Sequence, residues 1–122
     1  MTTTELGRRG EEIASQALES QGYQVVEKNW RCRTGEIDIV ARDGEYWVFV
    51  EVKLRSSDAF GTPEEAVTVA KQKRLLNTGM MYLAEHGLDE VEWRIDVVAI
   101  TLADSGKVHR LTIYQDAVRI DG

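Results

Sequence analysis

The stretch from Gly35 to Lys53 constrains this chain more than any other. It sets three carboxylates and a lysine inside two apolar segments of strand character, Gly35-Glu36-Ile37-Asp38-Ile39-Val40 and Phe49-Val50-Glu51-Val52-Lys53. Removing one charge from water costs several kcal/mol or so unless a partner compensates. Four such groups together therefore predict a site, and a divalent cation is the obvious occupant.

Strand parity sharpens the expectation. Side chains alternate between faces along a strand, so Glu36 and Asp38 share one face, and Glu51 and Lys53 share one face of the next strand. Between the segments lies Arg42-Asp43-Gly44-Glu45, and Asp-Gly is a strong two-residue hairpin signal. With Asp43 and Gly44 as the turn, Arg42 pairs with Glu45, Val40 with Trp47, Asp38 with Phe49 and Glu36 with Glu51. Glu36, Asp38, Glu51 and Lys53 then lie on one surface. Asp38 becomes a diagonal neighbour of Glu51, about 7–8 Å away by backbone. A three-residue turn would send Asp38 and Glu51 to opposite faces.

Hard oxygen donors of this kind suit Mg²⁺ or Mn²⁺, which take one or two carboxylates and leave positions for water and phosphate oxygens. Such an ion polarises a phosphoryl oxygen and acidifies a bound water. A lysine two residues after a ligating glutamate shares its face, where the ammonium orients the attacking water. The competing interpretation is ordinary cross-strand polar pairing on a solvated face. The apolar residues on both faces of these strands argue against it.

Asp38 followed after twelve residues by Glu51-Val52-Lys53 resembles the PD-(D/E)XK motif of type II restriction enzymes and archaeal Holliday-junction resolvases. A longer series is similar to the YraN family of endonuclease-like bacterial proteins: Gly7-Arg8-Arg9-Gly10-Glu11, Asn29-Trp30-Arg31, Gly35-Glu36-Ile37-Asp38, Phe49-Val50-Glu51-Val52-Lys53 with Arg55, Gly61-Thr62-Pro63, Lys71, and Arg94-Ile95-Asp96-Val97-Val98. The resemblance spans nearly the whole chain. One departure is Val69-Ala70, where the family often has a proline shortly before the lysine matching Lys71. The resemblance implies Asp38 and Glu51 as metal ligands, Lys53 as the catalytic lysine and Glu11 as an additional acidic residue from the first helix. Glu36 belongs to the same pattern, and either Glu11 or Glu36 tunes the site or a second ion. The implied activity is metal-dependent hydrolysis of DNA phosphodiesters, with branched or junction DNA as a candidate substrate. The alternative is a nuclease-fold module that binds nucleic acid or protein and cleaves little or not at all.

The 122 residues suffice for one core, so a single domain over 1–122 is expected. Leu6, Gly10, Ile13 and Ala17, widened by Ala14 and Leu18, follow helical spacing up to Gly22. A strand from Tyr23 to Trp30 and the hairpin come next. Thr62-Pro63-Glu64-Glu65 reads as a capping box opening a helix to about Glu85, with Leu76, Met80 and Leu83 inward beside Leu75 and Gly79. Strands over Val91–Ile100 and Leu111–Tyr114 close the chain. The expected architecture is α/β and restriction-endonuclease-like, a mixed central β-sheet flanked by helices on both faces.

A net charge of −6 opposes non-specific attraction to nucleic acid. The cations nevertheless gather near the motif, as Arg31, Arg33, Lys53, Arg55, Lys71, Lys73 and Arg74. Apart from Lys53, these are the candidate phosphate contacts. If the second helix begins near Thr68, three of them crowd its N-terminal end, which favours anions. A junction-cutting activity would call for a two-fold homodimer, and Trp30 and Phe60 are each either exposed candidate surfaces for it or core. The lone Cys32 and the lack of a basic or apolar leader in Met1–Glu5 fit a reducing cytoplasm, and no apolar run is long enough to span a membrane.

Overall fold

The computed structural model describes residues 2–56 and 67–118. In chain order these form α1 (Thr3–Ser20), β1 (Gln24–Cys32), β2 (Gly35–Asp43), β3 (Tyr46–Ser56), α2 (Val69–Glu85), β4 (Trp93–Leu102) and β5 (Val108–Tyr114). The strands make one sheet in the order β1-β2-β3-β4-β5. Every pairing is antiparallel except β3 with β4, whose parallel register runs from Trp47 beside Trp93 to Ser56 beside Leu102. That exception follows from connectivity. A chain that returns in the same direction needs a crossover, and α2 supplies it.

The apolar strands are buried on both faces, as expected for a sheet with helices on both sides. Ala14 and Leu18 of α1 pack with Ile39, Ala41, Val48, Val50, Val98 and Ile100. Leu75, Tyr82 and Leu83 of α2 pack with Val40, Phe49, Ile95 and Val97 on the other side. The α/β restriction-endonuclease-like architecture with a mixed sheet is thus present.

Both helices differ from expectation in which residues they bury. In α1 the inward stripe is Gly10, Ala14, Ser15 and Leu18, while Leu6 is exposed. In α2 the inward face is Leu75, Thr78, Gly79, Tyr82 and Leu83, and Met80 is left 46% exposed. Tyr82 turns the helix. Its ring meets Trp30, Trp47 and Phe49 at centroid distances of 5.1, 6.1 and 5.5 Å, and its hydroxyl donates to Glu27 at 2.8 Å. One large aromatic with a polar tip outweighs Met80, whose removal from water is worth about as much as any single aliphatic.

Thr68, not the Thr62 capping box, is the N-cap of α2, its hydroxyl accepting from the Lys71 amide at 3.2 Å. Val67 and Thr68 are not helical, so no continuous helix runs from Pro63. The Gly61-Thr62-Pro63 segment, the capping box and Phe60 lie outside the described residues. Lys71, Lys73 and Arg74 therefore fall in the first two turns of α2. Among the described residues no helix is long and apolar enough to cross a membrane.

Candidate metal centre

The hairpin between β2 and β3 closes one residue later than Asp-Gly alone suggests. Gly44 and Glu45 form the loop, Asp43 pairs with Tyr46, and Val40 faces Phe49 rather than Trp47. Gly44 has φ +61, and among the described residues neither Asp43 nor Glu45 has a positive φ. A glycine first in a two-residue loop meets the requirement of a type II′ turn, whereas a turn on Asp43-Gly44 of type I′ would force Asp43 into the left-handed region as well. The resulting slip is an even number of positions, so facial parity survives. Asp38 gains Glu51, not Phe49, as its opposite residue.

The two strands part at this point. Their ladder ends at Ile39 with Val50, and one step further the Asp38 Oδ2 atom accepts the Val52 amide at 2.9 Å. A side-chain carboxylate thus does the work of a strand carbonyl, which satisfies the amide and fixes the carboxylate in the gap. Burial pushes the Asp38 carboxyl up to about 8, helped by its hydrogen bond to Glu51 and the Glu51 and Glu11 charges, against a downward pull from the Val52 amide. The neighbouring carboxylates thus favour the protonated form of Asp38.

Glu11 approaches Asp38 from α1. Gly10 packs directly on β3, where a Cβ would sit in ordinary van der Waals contact with Leu54 and Val52, at 3.5 and 3.7 Å. The Asn29 amide donates to Glu11 Oε1 at 3.0 Å. Asn29 itself sits in the left-handed region at φ 56, an uncommon conformation for any residue but glycine. One carboxylate oxygen each from Glu11, Glu36 and Asp38 lie within 4.8 Å of one another. Glu36 also pairs with Arg31 at 3.2 Å.

Glu51 faces α2 instead. Its side chain is 6% exposed, and Lys71 Nζ stands 3.1 Å from its Oε2. The contact lies outside hydrogen-bonding geometry, so that buried oxygen has no hydrogen-bond partner. Lys53 is half-buried and makes no hydrogen bond or ion pair with another described residue.

What departs from expectation is the register and the partners each residue meets, not the facial parity of Glu36, Asp38, Glu51 and Lys53. Asp38 lies where the ladder ends and is grouped with Glu11 and Glu36, while the Glu51 carboxylate is engaged by Lys71. Strand divergence, which parity does not encode, makes the difference. The Glu11, Glu36 and Asp38 carboxylates could hold a metal ion. They offer three hard oxygen donors with an excess of negative charge, and beyond them Glu51 presents a buried oxygen without a hydrogen bond.

The cations proposed as phosphate contacts separate into groups. Lys71 is committed to Glu51 and Arg31 to Glu36, whereas Arg33, Lys73 and Arg74 are exposed. Arg74 lies over Gly35, where a Cβ would come within 3.2 Å of its Cγ and 2.9 Å of Thr78 Oγ1. Arg55 is half-buried and has a partner of its own. Reasoning on the sequence missed Asn29 and the Lys71 contact. Both residues stand in segments noted above, but neither spacing nor parity shows which carboxylate each meets.

The Arg94–Val98 segment has a different task. Asp96, fully buried, accepts Tyr23 Oη at 2.7 Å, Arg94 Nε at 3.0 Å and the Asp116 amide at 2.9 Å. Arg94 continues to Asp43 at 2.7 Å, and Gln115 donates to Tyr23 Oη at 2.9 Å. Burial alone would lower the Arg94 guanidinium, but the hydrogen bonds it donates to Asp96 and Asp43 and the Asp96 charge hold it well above its usual range. This network ties the turn after β5 to β1 and the β2–β3 hairpin. It is structural.

A model of the uncharacterised protein family UPF0102 matches residues 10–100. A UPF0102 protein of Beutenbergia cavernae is 54% identical over 108 residues, covering 87% of this chain and 92% of the relative. One from Syntrophus aciditrophicus is 46% identical over 114 residues, 93% and 88% of the two chains. One from Geobacter sulfurreducens is 43% identical over 109 residues, 88% and 85%.

Proposed function

The chain belongs to the UPF0102 family, and from that premise we propose that it is a metal-dependent endonuclease hydrolysing phosphodiester bonds in DNA. The observation that carries the proposal is the Asp38 carboxyl, held in a sheet gap with Glu11, Glu36 and Glu51 around it and raised to about 8 by burial and its neighbours. Nothing in folding rewards three carboxylates at one point with a fourth beside Asp38, since their mutual repulsion is destabilising. A cation that removes the repulsion does.

Asp38 and Glu51 would hold Mg²⁺ or Mn²⁺, with Glu11 and Glu36 as further donors. The ion's chemistry is to polarise the phosphoryl group and acidify a water. The chain's own contributions follow from placement. The Val52 amide fixes Asp38, and Asn29 orients Glu11. Lys53, uncommitted among the described residues, orients the attacking water and offsets charge growing on phosphate oxygens. Arg33, Lys73 and Arg74 supply exposed positive charge for the backbone.

The test is cleavage of branched, flapped and single-stranded DNA in Mg²⁺ or Mn²⁺ by the wild type, Asp38→Asn and Lys53→Met, each checked for folding. Cutting by the wild type and loss in both variants is expected. A net charge of −6 favours the second reading, a nuclease-fold module that binds without cutting. Retained DNA binding with no cleavage under any metal would select it.

A further inference from the structure

Lys71 stands where a cation is needed. Glu51 is buried, and its outward oxygen has the ammonium at 3.1 Å without hydrogen-bonding geometry. The lysine approaches from the first turn of α2, where its own amide is occupied by the Thr68 cap. Its side chain is 31% exposed, so it has a way out to solvent along a flexible four-carbon stem. Lys53, two residues along β3 from Glu51, does not take this role and stays free among the described residues. The chain thus carries two lysines at the centre, one engaged and one not.

We propose that Lys71 is a tethered counterion: it neutralises Glu51 while the centre is free of metal, is displaced when a divalent cation enters, and then offers its ammonium to a phosphate of the nucleic acid. This rests on the metal-centre reading above and deepens it. A charge as strongly hydrated as an ammonium gains little by sharing one carboxylate with a dication a few Å away, because like charges repel. Entry of the dication therefore expels the lysine toward solvent. The helix end it leaves by also carries Lys73 and Arg74. Displacement turns a compensated anion into a bound cation with a free lysine beside it, so metal loading converts a site that repels phosphate into one that attracts it.

Calorimetric titration of Mn²⁺ into the wild type, Lys71→Met, Lys71→Arg and Asp38→Asn tests this, with folding of each checked by circular dichroism. Lys71→Met should bind Mn²⁺ about tenfold more tightly than the wild type, since the competing charge is gone. Lys71→Arg should stay close to wild type, and Asp38→Asn should not bind. Equal or weaker binding by Lys71→Met, with the wild type binding through Asp38, overturns the counterion role and leaves the metal centre standing. Absence of Mn²⁺ binding in every protein overturns both. A second readout avoids dependence on Lys71→Met folding. In wild type carrying ¹³C-methylated lysines, the Lys71 resonance, assigned by its loss in Lys71→Arg, should move to the free-lysine position as Mg²⁺ is added. A resonance that stays in place through saturation refutes displacement.

Discussion

Replacing Asp38 by asparagine should make the metal-free protein more stable at neutral and alkaline pH, although it removes the residue on which the proposed activity depends. The carboxyl is raised to about 8 in the folded chain by burial and the Glu51 and Glu11 charges, against about 3.9 when unfolded. Between those values the folded state binds the extra proton. Stability is therefore fully present below the unfolded pKa and is lost as pH rises through about 8. One proton sets a limiting slope of about 1.4 kcal/mol per pH unit. Relaxation of the gap and entry of water reduce the loss from pH 5 to 8 to about 2–3 kcal/mol. Asparagine keeps the carbonyl that accepts the Val52 amide and carries no charge, so the variant should lose this slope. The assay is urea unfolding in EDTA at pH 5, 6, 7 and 8 for both proteins. Other titrating groups cancel in the difference between them. A wild type and variant with parallel pH profiles would refute the reasoning, because Asp38 would then not be the group under strain.

Asp96→Ala should destabilise by about 3–5 kcal/mol in the same assay, since it strands Arg94 and Tyr23 in a buried network; a loss under 1 kcal/mol would contradict the structural role. Gly79→Ala would bring a Cβ within 2.9 Å of the Phe49 ring and 3.1 Å of Trp93. It should lower stability by about 1–3 kcal/mol through overpacking, despite alanine's better helix propensity, and a stabilised variant would mean α2 shifts freely.

The carboxylate set and its parity were open to inspection in the sequence because strand alternation is a local rule, and the even slip at the hairpin left it intact. The two-helix, mixed-sheet architecture was equally legible, since apolar residues on both faces of β2 and β3 demand cover on both sides. The inward faces of the helices were less so. Met80 and Tyr82 are both apolar enough to be core, and only the position of Trp30, Trp47 and Phe49 across the sheet decides between them.

The amino-acid order alone thus determined which residues are costly to bury, and hence that a charged site lies on β2 and β3. Tertiary structure decided what each one meets. Glu11 reaches Asp38 because α1 packs on β3 at Gly10, Asn29 reaches Glu11 through a left-handed turn of its backbone, and Lys71 reaches Glu51 because α2 is capped at Thr68. Those contacts join residues far apart in the chain. Their geometry is set by where helices dock and strands separate, which depends on packing energies summed over the whole core and not on any local pattern.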